Sequence, residues 1–315
     1  MKTLNIIGKR KIFFTISALL AIASLVSLII FGLKPGIDFV GGSLLEINFS
    51  SQRPTIEEMK NSLITTGLSD IENAKIQPAE ENSFILRTRS LAEEEHQKIL
   101  SQLREDFENQ KNEEGINIEN KVLEQRQETI GSSISSELRS KSFKTITLVI
   151  IMMIVYITWA FKRVSKPIKS WKYGVTAIIA LVHDVLITIG VFSILGHFYN
   201  VEVDIAFIVA ILTILGYSVN DTIVVFDRVR ENLIKFGYEN FEETVNKGVN
   251  ETLARSINTS LTTLLVLIAL YFYGGASIHY FVLALIIGIT LGALSSIFLA
   301  SPLLVVWDNW SRRKK

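Results

Sequence analysis

The chain has 315 residues, 49% of them apolar, with a mean hydropathy of +0.36 and a formal net charge of +1. A soluble domain of this length would be less apolar, and nucleic acid is not expected as a partner. With no cysteine, disulfides and cysteine-based metal sites are excluded.

Residues 12–33 carry no charge, and about twenty such residues cross a ~30 Å hydrocarbon core as one helix. Lys9, Arg10 and Lys11 precede them as the basic start of a signal peptide would. The run is longer than the ~7–15 apolar residues of such a peptide, and no small-residue cleavage site precedes Lys34-Pro35-Gly36. An uncleaved first span is therefore expected.

Residues 44–49 then alternate apolar and polar, as a strand does. Pro54 sits where the first turn of a helix tolerates it, and Ile56, Met59, Leu63 and Ile64 follow at helical spacing, with Gly67 as the stop. Two extended stretches near 71–78 and 83–89 flank Glu80 and Glu81. Residues 91–110 read as a second helix and 116–126 as a last strand. The order β-α-β-β-α-β is the ferredoxin-like one. No catalytic constellation stands out in this stretch. His96 reads as a solvated residue on a charged helix face, and Glu93, Glu94 and Glu95 as a wet helix start favoured by the dipole.

Apolar runs recur at about 145–161, 174–196, 205–226, 257–273 and 279–306, which makes six spans. The fold class expected is a multi-span α-helical bundle with an inserted α+β domain. Its divisions are a tail and first helix over 1–35, an external ferredoxin-like domain over 36–140, and five further spans over 141–315. The short segments bearing Lys2, Lys9, Arg10 and Lys11, then Lys162, Arg163, Lys166, Lys169 and Lys172, then Arg312 to Lys315, must share a side. Basic short loops stay in the cytoplasm. The long segment 36–138, with 20 acids against 10 bases, then lies outside.

Ionisable groups inside spans are costly, and each is a functional candidate. Asp184 lies mid-span on a narrow stripe with Thr176, Ala180 and Thr188. Asp221 follows Tyr217 and Ser218 by one turn and is flanked by Asn220 and Thr222. Asp227, Arg228, Arg230 and Glu231 come after it, at the cytoplasmic boundary. Arg255, Asn258, Thr259, Thr262 and Thr263 share one face of the fifth span. Lipid satisfies none of these groups, so the stripes are expected to face one another. The residue types suit a proton relay: a carboxylate that alternately meets and leaves an arginine binds and releases a proton. A structural ion pair is the plainer alternative. His183, His197 and His279 read as packing or interfacial residues. Gly288, Gly292 and Ser296, spaced by four, form a small-residue pattern that permits close helix contact.

The stretch from Gly36 to Gly42 (with Asp38, Phe39, Gly41 and Gly42) closely resembles SecF proteins, the bacterial protein-export membrane proteins of the SecD/SecF family in the resistance–nodulation–division superfamily. So do residues 216–232, residues 255–263 and the His183-Asp184 pair. The resemblance runs the length of the chain. It implies a bacterial inner-membrane protein and not an enzyme, without cofactor or metal. It implies partnership with SecD beside the SecYEG channel, with YajC and SecA, to draw preproteins across the membrane by the proton-motive force. Asp221 and Arg255 are implied as relay residues, with Asp184 beside them. Alternatives are an exporter of lipids or small molecules and a non-transporting assembly scaffold. The exporter would need a pocket in the inserted domain, where Phe39, Phe49, Phe84 and Phe107 are the only aromatics.

Overall fold

The computed structural model describes residues 4–79, 82–108, 120–160, 170–237 and 239–313. Two compact units emerge: residues 35–141, and residues 1–34 with 142–315. Glu80, Glu81, the start of the expected strand at 116–126 and most of the basic link at 162–169 lie outside the described residues.

In the first unit a one-turn helix α2 (Ile37–Val40) leads into β1 (Gly42–Phe49), α3 (Ile56–Thr65), β2 (Lys75–Pro78), β3 (Ser83–Thr88), α4 (Glu93–Phe107) and β4 (Val122–Ile130). The strands form one antiparallel sheet in the order β2-β3-β1-β4, which is the ferredoxin-like arrangement. Its core is set by period-two and helical patterning: Leu45, Ile47 and Phe49 from β1 meet Phe84 and Leu86 from β3, and Met59, Leu63, Ile99, Leu103 and Phe107 from the helices. Phe49 packs edge-on to both Phe84 and Phe107. Two residues expected on the inner face of α3 are not there. Ile56 and Ile64 are exposed, because the helix turns a narrower stripe, centred on Met59 and Leu63, to the sheet.

Both helices begin as their sequences direct. Thr55 accepts from the Glu58 backbone N–H while Glu58 accepts from that of Thr55, a capping box. Glu95 accepts from the Ala92 backbone and from Arg89. The Arg89 guanidinium, and then the Ala92 amide, hold the Glu95 carboxyl down to about 2. His96 is not solvated. It is 2% exposed, with Nε2 3.0 Å from Glu124 of β4 and Nδ1 3.5 Å from Glu93. The fourth position of α4 faces the sheet, so the histidine closes the polar end of this core.

The glycines of the Gly41-Gly42 pair have a backbone reason to be there. Gly41 has φ +78° and Gly42 φ +132°, conformations that L side chains rarely adopt. A Cβ on Gly42 would stand 2.6 Å from the Thr88 carbonyl oxygen of the neighbouring strand. Gly36 accepts the backbone N–H groups of Phe39 and Val40, closing the turn that holds Asp38 and Phe39.

The second unit consists of α1 (Arg10–Phe31), the greater part of α5 (Ser132–Ala160), α6 (Ser170–Tyr199), α7 (Ile205–Phe236), α8 (Phe241–Tyr273), α9 (Ala276–Ser295), a π-helical turn (Ser296–Ala300) and α10 (Ser301–Arg313). Six of its helical stretches are long and apolar enough to cross a membrane, the last running from Ser277 to Ser311 through the π turn. A multi-span helical bundle with an inserted sheet domain results. Helix α7 packs on α8 and α9, and α6 on α1, α7 and α9. Buried serines join α1 to α6: Ser27 donates to the Gly190 carbonyl, and Ser193 to those of Ser27 and Gly32. Asn246 and Asn250 of α8 hold the backbone at Leu4 to Ile7, so α1 and α8 start at one end of the unit.

Candidate functional site

Three carboxylates are buried within this helical unit, Asp184, Asp221 and, near the C-terminal end on α10, Asp308; the first two are the ones the sequence singles out. Asp184 on α6 is wholly buried and Asp221 on α7 is 7% exposed. The Asp184 stripe is turned inward as its spacing predicts: Thr176, Ala180 and Thr188 are buried with it. On α7, Ser218, Asp221 and Thr222 are buried and Asn220 is exposed. That division follows the helix, since Asn220 lies about 100° from its neighbour Asp221.

Asp184 and Asp221 are each held by two serine hydroxyls. Oδ2 of Asp184 accepts from Ser218 of α7 at 2.7 Å and from Ser295 of α9 at 2.7 Å. Oδ1 of Asp221 accepts from Ser256 of α8 at 2.6 Å, and its Oδ2 accepts from Ser296, the first residue of the π turn. Asp184 Oδ1 also stands 3.0 Å from Nδ1 of His183. The histidine is largely buried, packed beside its neighbour's carboxylate. Its Nε2 is buried without a protein partner among the described residues.

The seam that brings these groups together is the small-residue pattern of the sixth span. A Cβ on Gly288 would meet the Ile214 side chain at 2.2 Å, and one on Gly292 would meet Ser218 at 2.8 Å. Ser296 continues the same line to Asp221. Three successive turns of the span thus lie against Ile214, Ser218 and Asp221 of α7, close enough for serine, the shortest hydroxyl side chain, to reach a carboxylate.

Arg255 is placed differently from the expectation. It is exposed, as are Asn258, Thr259 and Thr262, and Thr263 is half-buried. Among the described residues Arg255 has no ion-pair partner, and the hydroxyl on Asp221 belongs to the next residue, Ser256. The inward face of α8 is Thr252, Ser256, Ser260 and Leu267, one step round from the stripe read in the sequence. The exposed threonines satisfy themselves locally: Thr259 donates to the Arg255 carbonyl and Thr262 and Thr263 to that of Thr259. The stripes of α6 and α7 face the interior and that of α8 does not, because helical spacing identifies a polar face without saying which neighbour covers it. Ser256, Ser295 and Ser296 went unassigned to the carboxylates for the same reason.

At the far end of α7, Arg228 donates to Glu251 and Glu231, each at 2.7 Å, and Asn232 also donates to Glu251. This network ties α7 to α8 beyond the carboxylates. The Gly36–Gly42 motif lies in the sheet unit and the carboxylates in the helical one. No cluster of metal-binding side chains occurs among the described residues.

Residues 110–310 match the family model described as Protein export membrane protein SecD/SecF, C-terminal. Residues 26–52 match the SecD/SecF GG motif. The chain is 40% identical to the protein translocase subunit SecF of Thermobaculum terrenum, over 97% of this chain and 94% of that one. Against the same subunit of Anaerolinea thermophila it is 36% identical over 98% and 97%. Among solved structures it resembles the crystal structure of SecDF, a translocon-associated membrane protein, from Thermus thermophilus, with a TM-score of 0.81 and 31% identity. That match covers 98% of this chain and 39% of the SecDF chain. On this similarity, together with its six apolar helices and inserted ferredoxin-like domain, the chain belongs to the SecD/SecF family of protein-export membrane proteins, as a multi-pass SecF-type translocase subunit.

Proposed function

We propose that the chain works with a SecD-type second half to move preproteins across a bacterial inner membrane with the proton-motive force, and that Asp221, Arg255 and Asp184 form its proton relay. The observation that carries this reading is the separation of Asp221 from Arg255. Asp221 is buried in a membrane helix on hydroxyls alone, while Arg255, adjacent in sequence to one of those hydroxyls, faces outward. A carboxylate that gains and loses a guanidinium as helices shift binds a proton in one state and releases it in the other. Each proton brings about 2.3 kcal/mol per 100 mV of membrane potential, sufficient to bias a two-state element.

The polar face of α8 supports the need for a second half. Arg255 and Asn258, exposed on a spanning helix, require cover other than lipid. In this reading both termini are cytoplasmic and residues 36–140 are external, where the domain meets the emerging preprotein. The SecYEG channel, SecA and YajC are the accompanying partners, and Ser218 and Thr222 line the relay, while Asn220 is exposed on the other side of α7.

Asp221→Asn tests the relay. The amide is nearly isosteric, so insertion and partner binding persist, but the titrating charge is gone. Gradient-driven translocation in vesicles falls by tenfold or more, and Arg255→Lys, which loses the planar fork, falls by less. Unchanged gradient-driven translocation in Asp221→Asn, at normal protein levels, would sink the relay and leave a scaffold role.

A further inference from the structure

The two carboxylates are not independent sites, because neighbouring residues of one helix hold them both. Ser295 ends α9 and donates to Asp184; Ser296 opens the π turn and donates to Asp221. Successive residues of a helix point about 100° apart, so one hydroxyl reaches α6 and the other α7. The groups facing Asp184 are His183 from its own helix, Ser218 from α7 and Ser295. Those facing Asp221 are Ser256 from α8 and Ser296.

Both serines have a second acceptor within their own helix: the Gly292 carbonyl at 3.3 Å for Ser295, and the Ala293 carbonyl at 3.0 Å for Ser296. A hydroxyl has one proton and two lone pairs. Against an anionic carboxylate it must donate. When the carboxyl takes up a proton, the same hydroxyl can accept the acid O–H and turn its own proton to the carbonyl one turn back. Either state leaves the two serine hydroxyls with a partner for their proton.

The segment where this happens is a π-helical turn, in which the i→i−4 ladder is interrupted. The side-chain hydroxyl of Ser301 donates to the Ser296 carbonyl at 2.9 Å, five residues back. A change in hydrogen bonding at one serine therefore acts on a backbone that also carries the other.

We propose that Ser295 and Ser296 are positioning residues that couple Asp184 to Asp221, so that the protonation of either carboxyl is felt at the other. The inference rests on the relay reading above and adds to it a defined connection between two of its members. The hydroxyls, rather than the bulk of the side chains, transmit the effect.

The test is infrared titration of the carboxyl bands in the full chain, co-purified with its SecD-type half in lipid. The Asp221 band is assigned by its loss in Asp221→Asn. Asp184→Asn is expected to move the Asp221 midpoint by on the order of one pH unit, the scale at which two sites titrate as a coupled pair. In the Ser295→Ala/Ser296→Ala background the same substitution is expected to move it by less than half as much. Ser295→Thr/Ser296→Thr keeps both hydroxyls and restores the full displacement. An undiminished displacement in the alanine background overturns the coupling. So does an equal loss in the threonine and alanine backgrounds, which would assign the effect to packing, and so does an Asp221 band that does not titrate. Normal gradient-driven translocation by Asp221→Asn would instead refute the relay, and the infrared displacements would still decide the coupling.

Discussion

The sheet unit and the helical unit both bury apolar side chains, and they differ in what they turn outward and in the polar groups they enclose. In the sheet unit, apolar side chains such as Leu45, Ile47 and Phe49 are inside and the acids lie mostly outside. In the helical unit, the most exposed positions of α1 include Leu19, Ile22, Ile29 and Ile30, and the only buried residues of that helix are Ser24 and Ser27. Asp184, Asp221 and the four serines on them are buried within an interior that is otherwise apolar, with Phe192, Ile214, Phe226 and Leu304 among its side chains. Water makes apolar burial the driving force in one case. Lipid removes that force in the other, and close contact with interhelical hydrogen bonds takes its place. One chain thus obeys two solvents, and the same substitution has different consequences in each unit.

The largest expected contrast is at phenylalanine. Phe49→Ala empties a site between Phe84 and Phe107 and costs about 3–5 kcal/mol, read as lower resistance of residues 35–141 to denaturant or protease. Phe272→Ala, at a position 73% exposed on a spanning helix, leaves thermal unfolding of the detergent-solubilised protein within error. Comparable losses at the two positions would break the distinction. Next comes Gly288→Leu, which drives a side chain into Ile214 and parts α7 from the sixth span. About 3 kcal/mol or more is expected, with aggregation on solubilisation as the readout, and a well-folded variant would show that the seam does not organise the bundle.

Gly42→Ala is smaller, about 1–3 kcal/mol, since it strains a left-handed backbone and pushes on the Thr88 carbonyl. Substituting Gly131, where a Cβ meets nothing within 4 Å, is the control. The smallest effect is electrostatic. The Glu95 carboxyl is held at about 2 against an ordinary 4.5. A lowered carboxyl favours folding above the ordinary value, and that advantage fades as pH falls from about 4.5 toward 2. Glu95→Gln flattens the acid side of the stability curve of residues 35–141 within that window and changes little in the helical unit.

How far the sequence could be read also differs between the units. The β-α-β-β-α-β order was legible because period two and period 3.6 are distinct, and the sheet needs only this chain to complete it. The six spans were legible from charge-free runs. The inward stripe of α6 was legible because Asp184, Thr176 and Thr188 share one face with apolar surroundings. The direction of Arg255 was not, since Ser256 offers a second polar face one step away and both suit a helix. His96 was misread because sequence neighbours do not disclose what packs on top. The π turn has no composition signal at all, and with it the pairing of Ser295 and Ser296 escaped notice.

The outward face of α8 also bears on what an unaccompanied copy asks of the lipid around it. An arginine costs about 3 kcal/mol at the centre of a bilayer, and near the end of a spanning helix its long side chain can reach for the interface. Asn258, one turn further along the same exposed face, has no such reach. A bilayer that meets this face therefore has to thin or admit water beside it, so the helix deforms its solvent wherever no other surface covers it.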